Sequence, residues 1–135
     1  MNISNSIFLF FVLVFSLIIG ISWQINLGRV KNKDRLSISE SELGDNLGEL
    51  GTAVVFTTTF CSECRTTKAI VKDVVKDFKG ISYVEIDAES NLELVRRIDI
   101  RSTPTTIFLN SKGFEIARAK GAPKRDQLIK AIRAI

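Results

Sequence analysis

Cys61-Ser62-Glu63-Cys64 contains the only two cysteines of the 135-residue chain, separated by two residues. The segment before it, Ala53 to Thr58, is apolar and β-branched, which is typical of a buried strand. The segment after it carries apolar residues at helical spacing from Ile70 to Phe78. The pair is therefore predicted to lie where a strand turns into a helix. Two thiols in the first turn of a helix can close and reopen a disulfide, and the free backbone N–H groups there favour a thiolate.

The composition excludes several kinds of chemistry. The chain has no histidine, which rules out Ser-His-Asp and Cys-His catalysis and leaves a metal site only two thiolates and carboxylates, so we expect no metal. A disulfide between cysteines so close in sequence restricts the unfolded chain little and therefore contributes little to stability. The net charge is +4, but there is no long basic helix and no aromatic-and-basic strand pattern, so we expect no nucleic-acid partner. A redox role for the two thiols remains.

The amino-terminal region carries an uncharged apolar run from Ile7 to Trp23, near the shortest length that crosses a bilayer. No Lys or Arg precedes this run, and a cluster of basic residues follows it: Arg29, Lys31, Lys33 and Arg35. The asymmetry predicts a single-pass anchor in the cell membrane with a cytoplasmic carboxyl-terminal side. We assign residues 1–25 to a transmembrane anchor and residues 26–38 to a basic membrane-proximal linker. A cleaved signal peptide, or an uncleaved export anchor, is the competing interpretation.

Residues 39–135 are predicted to form one α/β domain. The predicted elements are a helix over Ser39–Leu50 that stops at Gly51, a strand over Ala53–Thr58, a helix through Phe78, a strand over Ile81–Asp87, a helix over Asn91–Ile98, strands over Thr105–Asn110 and Glu115–Lys120, and a last helix opened by Pro123. The first strand–helix–strand unit predicts a right-handed crossover between parallel strands. We expect a mixed sheet of four strands, or five, with helices on both faces, preceded by one transmembrane helix.

This order of elements, with Cys-x-x-Cys at the first strand-to-helix turn, resembles the thioredoxin fold. Thr103-Pro104-Thr105 resembles the family loop in which a cis-proline faces the cysteines, and Val84-Glu85-Ile86-Asp87 resembles the strand before it. Lys120-Gly121-Ala122 resembles the carboxyl-terminal end of the family. The short amino-terminal anchor also makes the chain similar to small membrane-anchored thioredoxin-like proteins of bacteria.

The resemblance implies roles for particular residues. Cys61 is the exposed nucleophile and Cys64 the resolving thiol. Thr103 and Pro104 bind substrate, together with Phe60, which stands where the family usually has tryptophan. The Cys61 thiolate attacks a substrate disulfide, and Cys64 then attacks Cys61 to release the reduced substrate. The resemblance implies no cofactor apart from the redox-active Cys61–Cys64 disulfide.

One departure from the family concerns the proton of the resolving thiol. The position six residues before the first cysteine usually holds a buried acid that exchanges a proton with the resolving cysteine, and here it is Val55. Cys64 must therefore lose its proton to water, or with help from Glu63 through solvent.

A second departure replaces the usual Gly-Pro with Ser62-Glu63. Glu63 stabilises the first turn of the helix, but its charge disfavours the Cys61 thiolate and so favours the disulfide. Arg65 and Lys68 oppose that effect. We expect a reducing potential rather than a strongly oxidising one.

The sequence thus predicts a monomeric, membrane-anchored thiol-disulfide oxidoreductase that reduces protein disulfides. Its expected partners are protein disulfide substrates and an upstream reductase such as a thioredoxin reductase. Two alternatives stay open. The first is an extracytoplasmic thiol reductase that serves cytochrome or envelope-protein maturation, and the second is a thioredoxin-fold adaptor that holds a membrane partner without turnover.

Overall fold

The computed structural model describes residues 3–26, 30–31 and 36–135. Its elements in chain order are α1 (Ile3–Asn26), β1 (Val30–Lys31), α2 (Glu40–Leu43), β2 (Gly51–Thr57), α3 (Ser62–Lys76), β3 (Ile81–Asp87), α4 (Leu92–Arg97), β4 (Thr105–Asn110), β5 (Glu115–Lys120) and α5 (Arg125–Ile132). Strands β3, β4 and β5 have the predicted bounds.

The strands form one mixed sheet in the order β1-β5-β4-β2-β3. Strand β2 is central, since it pairs parallel with β3 and antiparallel with β4. The predicted four-stranded core of the sheet is confirmed. A fifth strand, β1, comes from the predicted linker and pairs antiparallel with β5. Ile38, also assigned to the linker, is 2% exposed, so the folded domain includes residues before position 39.

The predicted helix over Ser39–Leu50 is wrong beyond its first turn. It ends at Leu43, where Gly44 takes a left-handed conformation (φ 67°) that closes the helix. Leu50, predicted to face inward, is 61% exposed. Gly51, predicted to stop the helix, is the first residue of β2. The leucine spacing suggested a helix, but the glycine within it ended the helix early.

Helices cover both faces of the sheet, as predicted. Side chains that alternate along β2 point to opposite faces, so this strand contributes to two separate cores. The core under α3 and α5 contains Ala53, Val55, Val71, Val74, Val75, Phe108, Ala117, Leu128, Ala131 and Ile132. The core on the other face contains Ile38, Leu43, Val54, Phe56, Val84, Ile86, Leu94, Ile98, Ile100, Ile107 and Leu109.

Helix α1 carries the apolar run. Its large apolar side chains from Ile7 to Ile21 are exposed, Phe8 to 70%. Across residues 3–26, 30–31 and 36–135, no helix is long and apolar enough to cross a membrane. The transmembrane part of the fold prediction is therefore not confirmed. Of the predicted basic cluster, only Lys31 falls within the described residues, and the side chain of Trp23 falls outside them.

A buried ion pair lies on β5, and its arginine is also hydrogen-bonded to the loop after α4. The Arg118 guanidinium donates two hydrogen bonds to the Glu115 carboxylate, at 2.8 and 2.7 Å, and a third to the backbone oxygen of Asp99 at 3.2 Å. The two side chains are 5% and 1% exposed. A bidentate pair of this kind fixes geometry as well as neutralising both charges.

Replacing Glu115 with alanine leaves the Arg118 guanidinium buried without its carboxylate. We expect the free energy of unfolding to fall by about 3 to 5 kcal/mol, the usual cost of removing one partner of a buried pair. Urea unfolding followed by circular dichroism measures the change. Arg101→Ala, which breaks an exposed pair with Asp99, is the matched control and should cost less than about 1 kcal/mol. Equal losses in the two variants would contradict this view of the buried pair.

Candidate active site

The two cysteines lie at the amino-terminal end of α3, bonded to each other. Cys61 is the N-cap of the helix, and its sulfur accepts a hydrogen bond from the backbone N–H of Cys64 at 3.1 Å. The Cα atoms of the disulfide-bonded pair are 5.3 Å apart. Cys61 is half-buried, whereas Cys64 is only 3% exposed. A partner can therefore reach Cys61 more readily than Cys64.

The Thr103-Pro104 peptide bond is cis, as the resemblance implies. The antiparallel pairing of Phe56 with Thr105 brings this loop to the end of β2 from which the cysteine turn begins. The hydroxyl groups of Thr58 and Thr103 are hydrogen-bonded across the gap, with 3.0 Å between the oxygens. The backbone oxygen of Pro104 accepts from Gly121 at 2.8 Å. This loop is therefore joined to the turn before the cysteines, and the role of Pro104 opposite the cysteines stays a prediction.

The side chains around the cysteines are mostly exposed. Phe60 is 96% exposed, directly before Cys61. Glu63 and Arg65 are exposed in the first turn of α3, and within the described part of the chain neither forms an ion pair. Their predicted influence on the thiolate stays a prediction. Across the same described residues, no group of three or more His, Cys, Asp or Glu side chains could hold a metal ion.

Glu89 is hydrogen-bonded to the turn before the cysteines, and the sequence did not predict this contact. Its carboxylate accepts hydrogen bonds from the backbone N–H of Thr59 at 3.3 Å and from the Thr59 hydroxyl at 2.8 Å. The two residues are 30 positions apart and come from loops on adjacent strands, so no local pattern connects them. Glu89 thus helps to set where the cysteine turn lies.

A carboxylate lies on the strand next to Val55. Glu85 on β3 is in register with Val55 on β2, so both residues are on the face covered by α3. Its oxygen accepts from the Lys68 ammonium at 2.8 Å and from the Thr57 hydroxyl at 3.3 Å. The ammonium of Lys68, predicted to favour the thiolate, is therefore neutralised by Glu85.

Tyr83 lies on the same face, two residues before Glu85. Burial, and then the negative charge of Glu85, raise the pKa of Tyr83 to about 12. The Lys72 ammonium lies 5.0 Å from the centre of its ring. The pKa of Tyr83 is therefore sensitive to the charged groups between α3 and the sheet.

The titration of Tyr83 provides a test, because the chain has one tyrosine. The pKa is raised from 10.0, so the stability that the neutral phenol contributes is complete below pH 10 and is lost as the pH rises toward 12. Near-ultraviolet absorbance of the tyrosinate should show a midpoint near 12, and Glu85→Gln should lower it. A midpoint near 10 while circular dichroism still shows the native fold would contradict the described environment.

A mixed sheet with helices on both faces, a dithiol pair at the first strand-to-helix turn and a cis-proline loop beside it define a protein of the thioredoxin-like fold class. The Thioredoxin family model matches residues 44–134. The chain belongs to the thioredoxin family. Membership, together with the disulfide-capable Cys61–Cys64 pair, supports thiol-disulfide oxidoreductase activity.

The chain is also similar to individual proteins. A thioredoxin H-type of Picea mariana is 29% identical over 83 residues, which cover 62% of this chain and 65% of that protein. The NADPH-dependent thioredoxin reductase 3 of Arabidopsis thaliana is 35% identical over 60 residues, 44% of this chain and 11% of that protein. The structure of thioredoxin-2 from a malaria parasite has a TM-score of 0.60 at 22% identity and covers 78% of this chain and 97% of its own. The chain spans less than two thirds of the length of the first of these relatives.

Proposed function

We propose that this protein is a thiol-disulfide oxidoreductase that reduces disulfide bonds in other proteins. The observation that supports this proposal best is the difference in exposure between the two bonded cysteines. Cys61 is accessible at the helix end, and Cys64 lies beneath it at 3% exposure, so one sulfur can meet a substrate while the other waits within reach.

The proposed reaction begins with the reduced pair. The Cys61 thiolate, at the N-cap of α3, is stabilised by the backbone N–H of Cys64 and by the positive end of the helix dipole. It attacks one sulfur of a substrate disulfide and forms a mixed disulfide, and the other substrate sulfur leaves as a thiolate. Cys64 then attacks Cys61, which closes the Cys61–Cys64 disulfide and releases the second substrate thiol.

Substrate binding is assigned to Phe60 and to the loop of Thr103 and Pro104. Phe60 offers an almost fully exposed aromatic ring beside the nucleophile, and exposed aromatic side chains are common anchors at protein interfaces. Strand β4 begins only at Thr105, so the backbone of Thr103 has no partner in the described sheet. An extended substrate segment can pair with it there.

The electron donor is proposed to be a reductase of the thioredoxin reductase type. Each turnover leaves Cys61 and Cys64 bonded in a disulfide, so the pair must be reduced again before the next turnover. Similarity to part of a protein named NADPH-dependent thioredoxin reductase 3 supports a donor of this kind.

The membrane association and the cytoplasmic orientation of the domain are also proposals. The membrane association is supported by the exposed apolar run of α1, since exposed apolar patches of this extent are rare on soluble surfaces and mark binding sites or membrane contact. The orientation is supported by the basic residues that follow this run, since no Lys or Arg precedes it. The protein is proposed to act as a monomer that is held at the cell membrane by this run.

Reduction of a disulfide-linked protein, with dithiothreitol as electron donor, tests the reaction. We expect Cys61→Ser and Cys64→Ser to reduce turnover to the background rate, since each removes one sulfur of the exchanging pair. Phe60→Ala should raise KM and leave kcat nearly unchanged, because it removes binding surface and no reacting atom. Full activity in Cys61→Ser would contradict the role of Cys61 as the nucleophile. No turnover above background by the unaltered protein would contradict the reaction and favour the adaptor alternative.

An impermeant thiol reagent applied to intact cells tests the orientation. With the reduced pair in the cytoplasm, Cys61 should stay unlabelled until the cells are permeabilised. Labelling of Cys61 in intact cells would place the pair outside and favour the extracytoplasmic reductase.

A further inference from the structure

Two buried hydroxyl groups behind Cys64 have no hydrogen-bond partner within the described part of the chain. They belong to Thr67 and Thr106, whose side chains are both 0% exposed. A buried hydroxyl left unpaired costs about 1 to 3 kcal/mol. Valine has nearly the same shape and avoids this cost, so the presence of threonine at both positions needs a reason.

Both threonines lie in the layer between α3 and the sheet. Thr67 is on the inward stripe of α3, one turn after Cys64 and about one turn before Val71. Thr106 lies on β4 opposite Val55, and residues opposite each other on paired strands point to the same face. Val55 and Val71 belong to one packed cluster. The hydroxyls therefore lie at the end of this layer nearest Cys64.

The charged and titratable side chains of this region have other hydrogen-bond partners, stay protonated or face solvent. On β3, the Glu85 carboxylate accepts from the Lys68 ammonium of α3 and from the Thr57 hydroxyl. The Tyr83 hydroxyl also has no hydrogen-bond partner among the described residues, but it stays protonated because its pKa is raised to about 12. Glu63 is exposed in the first turn of α3. No carboxylate is present at Val55. A proton from Cys64 therefore needs a different acceptor.

We propose that the Thr67 and Thr106 hydroxyls hold a water molecule that accepts the proton of the Cys64 thiol. A hydroxyl can donate and accept hydrogen bonds, so each threonine can position a water. Buried waters typically make about three hydrogen bonds, and two hydroxyls with one thiol supply that number. The inference deepens the proposed function and rests on it, since Cys64 must lose a proton only if it resolves a mixed disulfide.

The release step moves one proton and one pair of electrons. The Cys64 thiol gives its proton to the water, which passes one on to solvent. The Cys64 sulfur forms a bond to the Cys61 sulfur while the bond from Cys61 to the substrate sulfur breaks. The electron pair of the broken bond leaves with the substrate sulfur, which takes a proton from solvent. The two cysteines end oxidised and the substrate disulfide ends reduced.

The test uses the full chain in its reduced form and an aryl disulfide reagent that releases a coloured thiolate. The first equivalent of colour reports attack by Cys61, and the second reports release by Cys64. In the double variant Thr67→Val, Thr106→Val, we expect the second phase to slow about tenfold and its midpoint to move to higher pH. The first phase should not change. The free energy of unfolding should change by less than about 1 kcal/mol, because valine keeps the shape of threonine and the variant removes the water together with the hydroxyls that bind it.

Two further variants control the interpretation. Thr52→Val removes a buried hydroxyl that does have a partner, the backbone N–H of Gly48 at 3.0 Å, near the far end of β2. It should lower stability and leave both phases unchanged. Val55→Asp, added to the double variant, returns a carboxylate to the layer and should restore the second phase. If the double variant does not fold, each single threonine variant gives the same test with a smaller slowing.

The possible failures can be told apart. An unchanged second phase, with an unchanged pH profile, in the threonine variants overturns the proposed water site and leaves the oxidoreductase function standing. No first phase in the unaltered protein overturns the proposed function, and the inference with it.

Discussion

The antiparallel pairing of β2 with β4 determines where every group of the site lies. Strand β2 is central and leads into the cysteine turn, and its pairing of Phe56 with Thr105 aligns the start of β4 with that turn. The Thr58 and Thr103 hydroxyls continue the same register past the end of the ladder. A slip of one residue would turn each of these side chains to the opposite face. The register thus positions the cis-proline loop beside the turn that leads to Cys61.

The layer between α3 and the sheet is mostly apolar, with a few buried hydroxyl groups among its aliphatic side chains. Val71, Val74 and Phe108 fill its interior, and burial of such side chains supplies most of the stability of a small domain. At the end near Cys64, the layer contains the hydroxyls of Thr67 and Thr106, which have no hydrogen-bond partner among the residues that the structure describes. Proteins often retain groups that lower stability where a reaction needs them. The layer therefore links the packing of the fold to the release step.

Strong local patterns made much of the fold predictable, and contacts between distant residues were not predictable. The alternation in β3 to β5 and the helical stripe of α3 gave the architecture, and the two-cysteine spacing gave the reacting pair. The helix after Ser39 was predicted too long, because leucine spacing outweighed the break at Gly44. Hydrogen bonds such as Thr59 to Glu89 join loops 30 residues apart and leave no local trace. Thr67 could have been noticed as a polar residue on an apolar stripe.

In the proposed reaction, a substrate disulfide reacts first with Cys61, and Cys64 then resolves the mixed disulfide. Incubating Cys64→Ser with a disulfide-linked peptide, then digesting and mapping by mass spectrometry, tests this most directly. We expect a stable mixed disulfide on Cys61 and much slower attachment to Cys64 in Cys61→Ser, because Cys64 is 3% exposed. No peptide on Cys61, or equal attachment to Cys64, would contradict the proposed reaction.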